Sequence, residues 1–301
     1  MRLRGNLILL TAAFIWGTTF VAQQSGMDSL GPFTYAASRF FLGMLTLFCF
    51  LLFYRKNRQK HVLAGACKSG WRVGIIAGFI MFTASSLQQV GMVYTTAGKA
   101  AFITCLYIML VPLGAVFLRK KVQPENWAGA FLGLLGLYLL CAKEGFSIGY
   151  GDTIVFVCAL FWTMHILFID AYASTVDVIE MAMAQVTVCF VMSFIVAVSF
   201  EEIVWSHIAA EWFPVFYGGV LSVGIAFTLQ IIGQKYADPV HAALIMSLES
   251  VFGALSSWLL LHEVMQAQEI GGCLLMIMGM LITQLGGLKK KKRFKSRITN
   301  E

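Results

Sequence analysis

Glu249 stands about ten residues into an apolar run spanning 239–260. At 1.5 Å per residue that places it roughly 15 Å deep, near the middle of a ~30 Å hydrocarbon layer. A carboxyl group there costs several kcal/mol unless it is paired or lines a wet cavity. Two chemistries are open to it. It can bind a proton or a cation, or it can tie helices together through Ser247, Ser250 or a neighbouring backbone group. Arg39 lies about two turns into the run 33–54. Its guanidinium suits bidentate capture of a carboxylate or phosphate; a structural ion pair, or snorkelling toward headgroups, uses the same group differently. His165 follows Trp162 by one helical turn, on the same face of the run 152–171. It can carry a proton near neutral pH, or stay neutral in a buried hydrogen bond.

An aromatic and amide set accompanies these groups, and it is paired along the chain. A shift of 142 residues lays Leu87-Gln88-x-Val90-Gly91-x-x-Tyr94 on Leu229-Gln230-x-Ile232-Gly233-x-x-Tyr236, and sets Tyr107 on Glu249. Earlier in the chain a shift of 146 sets Trp16 on Trp162, Thr19 on His165 and Arg39 on Gln185. Tryptophan is expected at membrane interfaces, yet Trp16 and Trp162 fall in mid-run. Trp16, Thr19, Arg39, Gln88, Tyr107, Trp162, His165, Gln185 and Gln230, with Glu249, are expected to line or gate one cavity, which would take an amphipathic small molecule through ring faces and a few hydrogen bonds. The same groups also serve as glue between helices. The small-residue faces Gly129-x3-Gly133-x2-Gly136 and Gly271-Gly272 with Gly279 read as packing, within a monomer or between two copies of a homodimer.

The elements that must hold these groups are membrane helices. Of the 301 residues 59% are hydrophobic and only 12% charged, the composition of a polytopic membrane protein. Ten apolar runs long enough to cross can be counted: about 6–25, 33–54, 71–93, 98–118, 125–142, 152–171, 178–199, 212–234, 239–260 and 268–288. They are too long for barrel strands and do not alternate. The expected fold is therefore an all-α integral membrane protein of ten transmembrane helices in two five-helix repeats, residues 1–142 and 149–288. Five is odd, so the second repeat enters the membrane inverted. Of the 22 lysines and arginines, 19 fall on one side if the N-terminus is cytoplasmic, which predicts both termini inside. The first run, with Arg2 and Arg4 ahead of it, reads as part of the fold rather than a cleaved signal, because it ends in Gln23-Gln24 without a small-x-small site. Residues 289–301 form a basic cytoplasmic tail whose Lys289–Arg297 stretch suits anionic headgroups.

Inverted repeats of membrane helices are the usual build of a carrier with its site between the halves. No GxxxxGK[ST] is present to cradle ATP, and no GxSxG. His262-Glu263-Val264-Met265-Gln266 lacks the second histidine of a zinc motif. The seven cysteines include no CxxC pair. No catalytic residue, metal or cofactor is expected, and a net charge of +7 points to the membrane surface rather than nucleic acid. A channel would need rings of polar residues, and those present are isolated.

Ala12-x-x-Ile15-Trp16-Gly17, Arg39-Phe40 and Leu106-Tyr107-x-x-Leu110-Val111-Pro112-Leu113 resemble the first domain of the drug/metabolite transporter superfamily, in its ten-helix EamA-type members. Ala242-Ala243-Leu244-Ile245-x-Ser247-Leu248-Glu249-Ser250-Val251-Phe252, followed by Leu259-Leu260-Leu261-x-Glu263, resembles the second. The resemblance runs over residues 5–287. It implies secondary transport, as export of small metabolites such as amino acids across the cytoplasmic membrane, through a central cavity. A passive facilitator without ion coupling is the alternative. One departure stands out: the family commonly has proline after the Glu249 position, where this chain has Ser250.

Overall fold

The computed structural model describes residues 2–27, 29–58, 68–95, 97–141, 149–260 and 266–298. Among them every regular element is helical, apart from an isolated bridge between Lys68 and Val176. The helices are α1 (Arg2–Gly26), α2 (Pro32–Arg58), α3 (Trp71–Tyr94), α4 (Ala97–Thr104), α5 (Tyr107–Phe117), α6 (Pro124–Cys141), α7 (Tyr150–Tyr172) and α8 (Val178–Phe200). Then come the short α9 (Trp205–Ala210) and α10 (Trp212–Phe216), a π-helical stretch Tyr217–Ala226, α11 (Phe227–Gln234), α12 (Pro239–Met246), α13 (Glu249–Leu260) and α14 (Ala267–Ile298). Eight spans among the described residues are long and apolar enough to cross a membrane. The remaining expected runs, 6–25 and 125–142, are occupied by α1 and α6.

Helix starts follow local chemistry. Asp177 accepts the backbone N–H groups of Ile179 and Glu180 to cap α8, and Asp238 does the same for His241 ahead of α12, which begins with proline. The α2 start is capped from a distance. Glu201, just past the end of α8, accepts the N–H groups of Phe33 and Thr34 at 2.9 and 2.7 Å. Glu180 takes the N–H of Gly70 at the head of α3. A carboxylate at a helix N-terminus answers both the orphan donors and the dipole, so α8 is fastened to α2 at one end and α3 at the other.

Two runs expected to be continuous are broken. α4 gives way to α5 at Cys105-Leu106, and α12 to α13 at Ser247-Leu248. Both breaks are single tightened turns, with Leu106 bonding back to Ile103 and Leu248 to Ile245 at 3.2 Å. Ser247 adds a bond to the carbonyl of Leu244, a habit that bends helices. The break next to Glu249 is thus made without proline. The breaks lie as far apart in sequence as Tyr107 and Glu249, 142 residues, which is the shift that aligns the two halves.

Each half reaches into the other. α1 packs on α11–α13 and the π-helical stretch, while α7 packs on α3, α4 and α5; α6 pairs with α14. That last contact runs through glycine. A Cβ at Gly136 would lie 2.5 Å from the carbonyl oxygen of Gly272, and one at Gly279 would lie 2.6 Å from that of Gly129. The expected packing role is met here inside one chain, except at Gly271, whose Cβ position has nothing within 4 Å. Gly136→Leu is expected to lower the thermal midpoint of the detergent-solubilised protein, since overpacking a close contact costs about 1–3 kcal/mol. An unchanged melting profile would mean that the two backbones separate freely.

Candidate functional site

A cavity lies among the helices that cross in the two halves. It encloses about 70 Å³ of space open to water-sized spheres, several times the ~10–15 Å³ a single water requires. Its walls are of three kinds.

The first is aromatic. The rings of Trp162 on α7 and Phe227 on α11 stack with centroids 5.9 Å apart at 12°, and Trp16 on α1 meets Phe227 at 5.0 Å. The Trp16 indole N–H is buried without a partner, and the Trp162 side chain has the Cys158 thiol beside it. The second is built at the helix breaks. Glu249, the first residue of α13, accepts a hydrogen bond from the Tyr107 hydroxyl at 3.2 Å and one from the Cys105 thiol at 3.4 Å. The two residues that the 142-residue shift makes equivalent therefore touch each other. Beside them Gln88 donates to Thr104 at 3.1 Å, and the side-chain oxygen of Gln230 has no partner.

The third wall is cationic. Arg39 on α2 is 5% exposed, with its guanidinium 5.6 Å from the ring centre of Tyr35 and 5.1 Å from that of Phe40. Its Nη1 donates to Gln23 at 3.4 Å, and Gln23 donates to Gln89 at 2.7 Å. Among the described residues no carboxylate forms an ion pair with it, and its Nε has no acceptor. A buried cation in this state is incomplete.

Eight of the ten residues singled out from sequence line this one cavity: Trp16, Thr19, Arg39, Gln88, Tyr107, Trp162, Gln230 and Glu249. His165 and Gln185 do not. They are fully buried and hydrogen-bonded to each other at 3.2 Å, with the edge of Trp162 against the imidazole. Three polar wall residues were missed: Gln23, Thr104 and Ser222. Gln23 carries a signal in the sequence, an amide near the end of an apolar run. Thr104 is matched by Met246, so the repeat gave no prompt. Ser222 sits in the glycine-rich π-helical stretch. His241, starting α12, bonds Asn6 and Thr283 rather than reaching the cavity. Among the described residues no group of histidine, cysteine or acidic side chains is placed to hold a metal ion. The side chains of Lys289–Arg297 lie outside the described residues.

A guanidinium, a carboxyl group, the free indole donor of Trp16 and stacked rings around one small space suit a molecule with an anionic group and an apolar or aromatic body. The profile of the EamA-like transporter family matches residues 3–142 and again 149–285. An uncharacterized transporter of Archaeoglobus fulgidus is 32% identical over 292 residues, covering 94% of this chain and 87% of the relative. An aromatic amino acid exporter, YddG, of Ancylobacter novellus is 24% identical over 249 residues, covering 79% and 82%. One crystal structure superposes with a TM-score of 0.78 at 22% identity, over 93% of this chain and 96% of that one. That last likeness speaks to the fold.

Proposed function

We propose, from the premise that this chain belongs to the EamA-like transporter family and is a multi-pass membrane transporter rather than an enzyme, that it is a secondary carrier exporting small carboxylate-bearing metabolites such as amino acids. Residues 1–142 and 149–288 act as two inverted repeats that alternate access to the cavity between them. Both termini face the cytoplasm in the plasma membrane, and the basic tail rests on anionic headgroups. Arg39 takes the solute's anionic group, and Trp16, Trp162 and Phe227 take its body. Glu249 carries the coupling proton.

The observation behind this reading is the contact of Tyr107 with Glu249 in the cavity wall. Residues equivalent under the repeat meet where the axis relating two inverted halves would pass, which is where such carriers hold their solute. The amino-acid class rests on the charge and ring chemistry of the cavity and on the printed function of the Ancylobacter relative.

The test is uptake of a labelled amino-acid and metabolite panel into proteoliposomes, with and without a pH gradient. Saturable, counterflow-capable flux that the gradient stimulates is expected. Saturable flux indifferent to the gradient would reduce the protein to a passive facilitator, and non-saturating flux would point to a pore.

A further inference from the structure

The cavity is not shared evenly between positions that the 146-residue shift makes equivalent. Thr19 of α1 and Arg39 of α2 line it, but their counterparts, His165 of α7 and Gln185 of α8, are shut away. Indeed α2 contributes to the wall and α8 contributes nothing.

The shut pair is chemically unfinished. His165 Nε2 meets Gln185 Oε1 at 3.2 Å, yet His165 Nδ1 and Gln185 Nε2 have no partner. With the amide oxygen accepting, a neutral imidazole donates from Nε2 and leaves Nδ1 as a bare acceptor, beside an amide N–H with nothing to bond. Reversing the amide and the tautomer exchanges the roles and leaves the same deficit. Each such buried group has given up its bond to water without replacing it, which destabilises the fold. A fold retains that cost more readily where another state of the molecule uses the groups.

Position fits such a state. Arg39 and Thr19 lie toward the start of α2 and the end of α1; His165 and Gln185 lie toward the end of α7 and the start of α8. In an inverted repeat those are opposite ends of the bundle. We propose that His165 and Gln185 line the cavity in a second state, in which the Arg39 end is closed and the two halves have exchanged conformations. There the free imidazole nitrogen and the free amide N–H contact the solute. The inference rests on the alternating-access reading above, and adds a binding surface that the present state conceals.

The test is labelling of the full-length protein in oriented membrane vesicles by a membrane-impermeant methanethiosulfonate, read residue by residue by peptide mass spectrometry. Cys189, one turn beyond Gln185 on α8, is fully buried with its thiol on the carbonyl of Gly78, and serves as the internal blank. Gln185→Cys is expected to react from the face opposite to that which labels Arg39→Cys. Its rate should be roughly 0.1–10% of the Arg39→Cys rate, the occupancy of a minor state a few kcal/mol above the major one. Should Gln185→Cys fail to run as a single species on gel filtration, His165→Cys carries the same expectation. Labelling no faster than Cys189, with Arg39→Cys reactive, overturns the second state. Saturable solute flux alongside that silence would leave transport standing and remove only this inference. A reactive Gln185→Cys with no flux for any solute in the panel would instead retain the second state and remove the proposed solutes.

Discussion

Arg39→Leu raises the concentration of a carboxylate solute needed for half-maximal uptake by about 10–100-fold, while the protein keeps or gains thermal stability. The two halves of that result come from the same observation. A buried guanidinium with no ion-paired carboxylate among the described residues and an idle Nε is a desolvated charge awaiting a partner. Charge-assisted hydrogen bonds contribute about 1.5–3 kcal/mol each, and losing that from a bound solute gives the stated range. Removing the charge from the empty protein relieves a burial cost and breaks no ion pair among the described residues; it gives up the 3.4 Å bond to Gln23, which the relief is expected to offset. A structural tie predicts the reverse: an unchanged half-saturation value and a lower melting point. Measuring both on one preparation decides between them. Arg39→Lys should recover part of the affinity, since an ammonium keeps the charge but not the planar fork.

Glu249→Gln should abolish stimulation of flux by a pH gradient and leave solute binding in place. The substitution suits the geometry. The Tyr107 hydroxyl and the Cys105 thiol both donate to the same carboxyl oxygen, and an amide oxygen of the same shape accepts them equally well. The wall is preserved and the exchangeable proton is gone. Gradient-driven uptake should fall to the rate seen without a gradient, while binding changes little. If the variant keeps full gradient-dependent uptake, Glu249 is a helix tie, and coupling resides elsewhere.

The all-helical fold was legible from the long apolar runs, and much of the cavity wall from polar and aromatic residues that recur at shifts of 142 and 146 residues. Trp16 and Trp162, or Gln88 and Gln230, stand out because each polar or aromatic residue in an apolar run has a counterpart at a fixed shift. Asymmetric residues were not legible that way: Thr104 faces a methionine position, and Ser222 has no polar counterpart. His165 stands out by itself, as a histidine one turn after Trp162 in an apolar run, and Gln185 only as the counterpart of Arg39. A sequence shift cannot register which member of each pair a given conformation exposes. The helix breaks were missed because periodicity does not change at them. Their signature is one tightened turn among residues that are ordinary in helices, Cys105-Leu106 and Ser247-Leu248, and the proline that would have flagged the second is a serine in this chain.

The glycine contact between α6 and α14 has a kinematic consequence. Backbones that approach so closely at Gly136 and Gly272, and at Gly129 and Gly279, fit together in one register only. Sliding by a single residue would push a side chain into a facing carbonyl. Two rods locked in this way behave as a keel, and neither supplies a residue to the cavity wall. Under the proposed alternation of access, rocking would be carried by the remaining helices, moving against this spine.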